Sequence, residues 1–217
     1  MQYMGSKSRI AQSIADIISM TGGRNMRYQG GKSRIAQDIA SVISVRGGDC
    51  FVSLFCGSCA VESKVQGFSR KILNDRHQYL IALLQGVQNG YELPESITAE
   101  QYLHIREHKD EDPVLAGFVG FGCSFGGKWF GGYARNATGT NYALQSKRSL
   151  LKDMATLQDA SFVCNDYRRV CIPPGAVIYA DPPYNNTTGY SGDRFDSAEF
   201  WVAMRLLADT GHTVFVS

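Results

Sequence analysis

Apolar residues recur along this chain in two alternating rhythms. Ile35, Ala36, Ile39, Ala40 and Ile43 fall at helical spacing and would line one face of a helix. Gly47-Gly48 ends that pattern. Residues 50–55, Cys-Phe-Val-Ser-Leu-Phe, form a short β-prone run that breaks into a glycine turn at Cys56-Gly57-Ser58, and 60–65 predicts the start of the next helix. A second strand is expected at 71–73, closing on Asn74-Asp75, with an apolar helix behind it at 79–84. Between about 90 and 149 the rhythm lapses: a polar helix gives way to GFVGFGCSFGGKWFGGYARN, with glycines and aromatics interleaved. It resumes with strands at 161–164 and 176–180, a helix at about 196–208 and a strand at 213–217. Alternating strand and helix predict an α/β fold with a parallel sheet, and 90–149 reads as an insertion into it.

The same helix pattern occurs twice. MQYMGSKSRIAQSIADIIS at the N-terminus and MRYQGGKSRIAQDIASVIS from Met26 agree at 13 of 19 positions with an offset of 25. Each copy has an aromatic residue, a glycine turn bearing a lysine, and then the helix. Two copies do not make a solenoid, so residues 1–25 read as a duplicated segment.

Composition narrows the class. The chain has 217 residues, 44% of them hydrophobic, enough for one sizeable core. Its net charge of +2 gives no polybasic signal, so any nucleic-acid contact must come from a local patch. No run approaches the roughly 18–20 apolar residues that span a bilayer, and the N-terminus lacks a secretory pattern; no membrane association and an intracellular site are expected. The six cysteines have no disulfide-framework spacing. Cys56 and Cys59 form an isolated CxxC, and His104 and His108 stand at i, i+4 without a third ligand of suitable spacing, so no metal is expected. The loop at 55–61 lacks GxGxxG spacing, which argues against a nicotinamide cofactor.

The strand at 176–180 runs straight into Asp181-Pro182-Pro183-Tyr184. In an open α/β sheet, ligands lie at the carboxyl ends of strands. Two consecutive prolines fix φ and remove two N–H donors, giving a stiff turn with carbonyls aimed in set directions. An amino group conjugated to a heteroaromatic ring is a poor nucleophile because its lone pair is delocalised. A carboxylate and a carbonyl that accept its N–H protons localise that pair, and an aromatic ring can stack on the base. On duplex DNA such an amine is reached only by rotating the base out of the stack.

With these residues the chain resembles the Dam-type DNA N6-adenine methyltransferases, which use S-adenosylmethionine. Five motifs in family order carry the resemblance, over most of 26–217: the stretch Tyr28, Gly30, Gly31, Lys32; the loop Phe55, Cys56, Gly57, Ser58; the acidic turn at Asp75; Asp166 and Tyr167; and the turn Asp181, Pro182, Pro183, Tyr184. The resemblance implies a Rossmann-like methyltransferase sheet. It also implies that the glycine turn takes the methionine end of the cofactor, that Asp75 accepts from the ribose diol, and that Asp166 and Tyr167 meet the adenine. Lys32 would reach the cofactor or the flipped base, Asp181 and the Pro182 carbonyl would orient the target amine, and Tyr184 would stack. Lys32 precedes Phe55 by 23 positions, about the interval the family uses, which favours the second copy of the repeat as the cofactor element.

The resemblance further implies a catalytic domain of 26–89 and 150–217, and a target-recognition insertion at 90–149 that binds double-stranded DNA. Lys128, Trp129, Tyr133, Arg135, Lys147 and Arg148 are the expected DNA contacts, basic and aromatic residues together. The family commonly has an acidic or proline residue where this chain has Ser53, and a second glycine where it has Cys59. Its sheet normally continues beyond the strand at 213–217, so C-terminal strands are expected to be missing here, leaving a monomer or weak self-association through that strand. The implied setting is the cytoplasm of a bacterial or phage-infected cell, in a restriction-modification role. The alternatives are a catalytically impaired DNA-binding remnant, or methylation of cytosine N4 or of a protein amide.

Overall fold

The computed structural model describes residues 32–183 and 195–217. The first copy of the repeat, the start of the second with Tyr28, Gly30 and Gly31, and also Tyr184 lie outside the described residues. Among the described residues, five parallel strands form one sheet in the order β3-β2-β1-β4-β5, where β1 is Gly48–Ser53, β2 Phe68–Asp75, β3 Ser161–Cys164, β4 Val177–Ala180 and β5 Thr213–Val216. The chain builds outwards from β1 to β3, then returns to β1's other edge for β4. The expected Rossmann-like architecture is what forms, and β1 and β4 flank the point where strand order reverses, the place where such sheets bind ligands.

Helix α1, Ala36–Arg46, buries Ala36, Ala40 and Ile43 of the face its sequence period defines, with Ile39 partly buried, while Ile35 precedes the helix and is exposed. On the same side lies α2, Gln78–Gln88, whose N-terminus is capped by His77 accepting from the Leu80 N–H. Alternation along the strands assigns the two faces. Phe51, Val177 and Tyr179 point towards α1 and α2, while Cys50, Val52, Ile178 and Ala180 point to the opposite face. That second face is covered by Val170, on the crossover from β3 to β4, and by Phe200 and Met204.

The segment 90–149 packs into the same core as the sheet. Helix α3, Ala99–Glu107, starts at a Thr98–Gln101 capping box, and α4, Pro113–Gly117, runs into a π-turn at Phe118–Gly122. Tyr102, Phe118 and Phe121 join one apolar cluster with Phe51 and Leu73. At Gly117 a Cβ would stand 2.1 Å from the Tyr79 carbonyl oxygen, so the absence of a side chain lets α4 lie directly on α2. Helix α5, Tyr142–Met154, leads to β3, and α6, Ser197–Asp209, leads to β5.

The helix expected at 60–65 is instead a run of turns, held by Ser63 N–H to Cys59 O and Val65 N–H to Val61 O at 3.1 and 3.2 Å. Gly67, at φ +82°, turns the chain into β2, which begins at Phe68, so only about one helical turn fits.

Candidate active site

Asp181 follows the last residue of β4, at the carboxyl end of the sheet beside the reversal point. The Lys32 ammonium lies 2.7 Å from Asp181 Oδ1, with the two side chains 13% and 17% exposed. This contact joins residues 149 positions apart, one from the first motif and one from the last. Pro182 and Pro183 follow in an irregular stretch.

At the end of β1, the loop Phe55–Cys56–Gly57–Ser58 is anchored to β2. Cys56 N–H donates to the Asn74 carbonyl at 2.7 Å and Gly57 N–H to Asp75 Oδ2 at 3.1 Å, with Gly57 at φ +50°. Asp75 Oδ1 also accepts from the His77 N–H at 2.9 Å. Burial raises the pKa of Asp75 above the usual carboxylate range, and these backbone donors oppose the rise. Two carboxylate oxygens offer about four acceptor positions, so capacity for further donors remains. Asn74 ties three strand ends together, its Nδ2 donating to Leu54 O at 2.9 Å and Asn165 O at 3.1 Å.

Cys59 adopts φ +60°, a left-handed backbone that costs a residue with a side chain about 1–2 kcal/mol. Its requirement for glycine-like geometry is met by a buried thiol instead. Cys56 and Cys59 are free and buried, and burial raises both thiol pKa values, as expected of inert structural thiols. Among the described residues no group of three potential metal ligands is assembled, and no helix is long and apolar enough to cross a membrane.

Ser53, the last residue of β1, is fully buried and donates to Glu62 Oε1 at 2.7 Å. Sequence reasoning missed Glu62, because a single glutamate in an expected helix reads as a solvated position. Its pKa is pushed up to about 7 by burial, the Ser53 hydroxyl pulling the other way.

Asp166 and Tyr167 separate in their surroundings. Asp166 caps a short 3-10 turn and is gripped by Arg168, with Nε to Oδ1 and Nη2 to Oδ2 both at 2.8 Å; these bonds hold its carboxyl down at about 2. Arg168 also grips Glu199 on α6 at 2.9 and 3.0 Å. The carboxylate expected to meet an adenine amine is therefore engaged by a neighbouring guanidinium. The Tyr167 ring packs 5.3 Å from Phe55 and 5.8 Å from Phe200, so the glycine loop and the post-β3 turn share one aromatic cluster.

Residues 28–114 match the D12 class N6 adenine-specific DNA methyltransferase family. The match bears out the Dam-type resemblance. It begins at Tyr28, inside the second copy of the repeat, and takes in Lys32, the glycine loop and Asp75. No curated protein matches the chain. D12 class enzymes generally use S-adenosylmethionine, and the donor set here fits that group: a glycine turn just beyond β1, a carboxylate with spare acceptor capacity at the end of β2, and a second, buried carboxylate bonded to the last residue of β1.

The expected DNA contacts fall into two groups. Lys128, Arg135 and Arg148 are exposed, as is Phe125 at 72%. Trp129 packs instead against His77 at 4.4 Å, Tyr79 at 5.2 Å and Phe121 at 4.8 Å. Burial lowers the pKa of His77 to about 4, leaving it neutral beneath the indole. The Tyr133 hydroxyl donates to Ile97 O at 2.6 Å, and Lys147 pairs with Glu95 at 3.2 Å. A cavity of about 310 Å³ beside Tyr133, Arg135, Asn136 and Asn141 is built wholly from residues 96–143, not from the strand ends that carry Asp75 and Asp181.

Proposed function

We propose that this protein transfers a methyl group from S-adenosylmethionine to the N6 amine of adenine in double-stranded DNA, with the base rotated out of the helix. The observation that carries the reading is the Lys32–Asp181 ion pair, which joins the first family motif to the Asp-Pro-Pro turn at the reversal point of the sheet. When bound, the cofactor supplies an electrophilic methyl group on a sulfonium.

The chain's own residues act on the amine. Asp181 and the Pro182 carbonyl accept hydrogen bonds from the two N–H groups and draw the nitrogen lone pair out of conjugation, and the single proton the nitrogen loses on methylation leaves by way of Asp181 to solvent. Lys32 pairs with Asp181 and fixes its orientation, while the proline pair stiffens the turn against displacement. Tyr184 stacks on the flipped base. Positioning of this kind supplies most of what a bimolecular methyl transfer needs, since no covalent enzyme intermediate is required. Gly57 and Ser58 hold the methionine end, and Asp75 takes the ribose diol. Tyr167 and Phe55 flank the adenine, with Asp166 serving to hold Arg168 rather than as the direct acceptor.

Lys128, Arg135 and Arg148 are the phosphate contacts in this reading, with Phe125 as the exposed ring beside them. Trp129 and Tyr133 support the loop from within. The compartment it implies is the cytoplasm of a bacterial or phage-infected cell. Digestion of duplex DNA after incubation with protein and S-adenosylmethionine, followed by nucleoside analysis, tests the assignment. N6-methyladenine is expected; N4-methylcytosine, or methyl groups recovered on protein alone, would replace it.

A further inference from the structure

Glu62 is 2% exposed and sits where a carboxylate is costly. Its Oε1 accepts from the Ser53 hydroxyl at 2.7 Å, a bond that favours the ionised form. Among the described residues no cationic side chain makes an ion pair with it. The nearby ammonium, Lys71 Nζ, is spent on the carbonyl oxygens of Glu62 and Val65 at 3.1 and 2.6 Å. The other titratable groups facing Glu62 are Cys56 and Cys59 on the loop and Asp181 beyond β4, each repelling its charge or repelled by it. Ser53 ends β1 in register with Tyr179 of β4, so the carboxylate lies at the reversal point, under the glycine loop and on the Asp181 side. Among the described residues it is a built acceptor with no ion-pair partner, Lys71 acting on it only from a distance, beside the place where a cation is expected.

We infer that Glu62 is a positioning residue for the cofactor, the counter-ion of the cationic methionine end of S-adenosylmethionine, and that it gives up its proton to solvent as that end binds. This rests on the methyltransferase reading above. In the free protein the carboxyl is held near half-protonation at neutral pH, because burial lifts it to about 7. A bound cation favours the ionised form, so binding draws the proton off, and affinity rises with pH until the free protein's carboxyl is already ionised.

The test is calorimetric titration of the full chain with S-adenosylmethionine in phosphate and in Tris at pH 7, repeated at pH 6 and pH 8. Wild-type protein is expected to release roughly half a proton at pH 7 and to bind about tenfold more weakly at pH 6 than at pH 8. Glu62→Gln is expected to bind with no buffer-dependent heat and with affinity flat across this range. Ser53→Ala, which removes a donor to the carboxylate, is expected to release more than wild type at pH 7, and it serves if Glu62→Gln does not fold. Unchanged proton release and pH dependence in either variant overturn the role of Glu62 while leaving the methyltransferase reading standing. Wild-type protein that binds no S-adenosylmethionine at any pH overturns both.

Discussion

Lys32 Nζ lies 2.7 Å from Asp181 Oδ1, in a setting where neither side chain is more than 17% exposed. A lysine presented just ahead of α1 thus reaches across the end of the sheet to the residue that follows β4. Removing the ammonium takes away the contact that holds this carboxylate across the end of the sheet, so the orientation of Asp181 depends on Lys32. Lys32→Ala should lower the methyl-transfer rate by about 10²-fold through misplacement of the carboxylate, and single-turnover kinetics at saturating cofactor would measure it. Lys32→Arg should restore part of the rate.

Gly117 should not tolerate a side chain. A Cβ there meets the Tyr79 carbonyl at 2.1 Å and Leu83 Cβ at 2.9 Å, and backbone cannot swing aside as a flexible side chain can. Gly117→Ala is expected to destabilise the fold by about 3 kcal/mol, read from urea denaturation midpoints.

Glu62 links the site to stability. Its folded pKa, about 7, lies above its ordinary value of 4.5, so the folded state holds the proton more tightly than the unfolded chain does. The stability this contributes is complete below pH 4.5 and is lost as pH rises through 7. Glu62→Gln should therefore gain on wild type by about 2–3 kcal/mol between pH 5 and pH 8. Denaturation at those two pH values checks it.

The exposed cations divide from the engaged one in their salt response. Lys128→Ala with Arg135→Ala should reduce the slope of log affinity for duplex DNA against log salt by about 2. Lys147→Ala should change it less, because Lys147 is already paired with Glu95. Fluorescence anisotropy over a salt series separates the two.

Much of this was legible from local pattern. The strands at 161–164, 176–180 and 213–217 and the apolar faces of α1 and α2 follow directly from period and turn residues, because burial on a sheet demands them. The parallel sheet and the placing of Asp75 and Asp181 at strand ends follow from those elements in order. What local pattern does not carry depends on long-range partners. The turns at 60–65 have helical apolar spacing, but the return to β2 leaves no room for a helix. Trp129 has the composition of a DNA contact, yet its ring fills the space above His77 that Gly120, which would place a Cβ 2.3 Å from the indole, keeps open. Asp166 and Arg168, two positions apart, pair with each other, and only the fold reveals that Glu199 completes the grip. Glu62 acquires its meaning from Ser53, nine positions earlier, and from Asp181 across the reversal point.

The central claim rests on Asp181 as the acceptor for a target amine. Its most direct test uses S-adenosylmethionine labelled in the methyl group, mixed-sequence duplex DNA, and wild-type and Asp181→Ala proteins, each first shown to be folded by circular dichroism. Label on adenine N6 with wild-type protein, and none above background with Asp181→Ala, is the predicted result. Folded wild-type protein that leaves the adenine unlabelled, or equal labelling by the variant, would contradict the account.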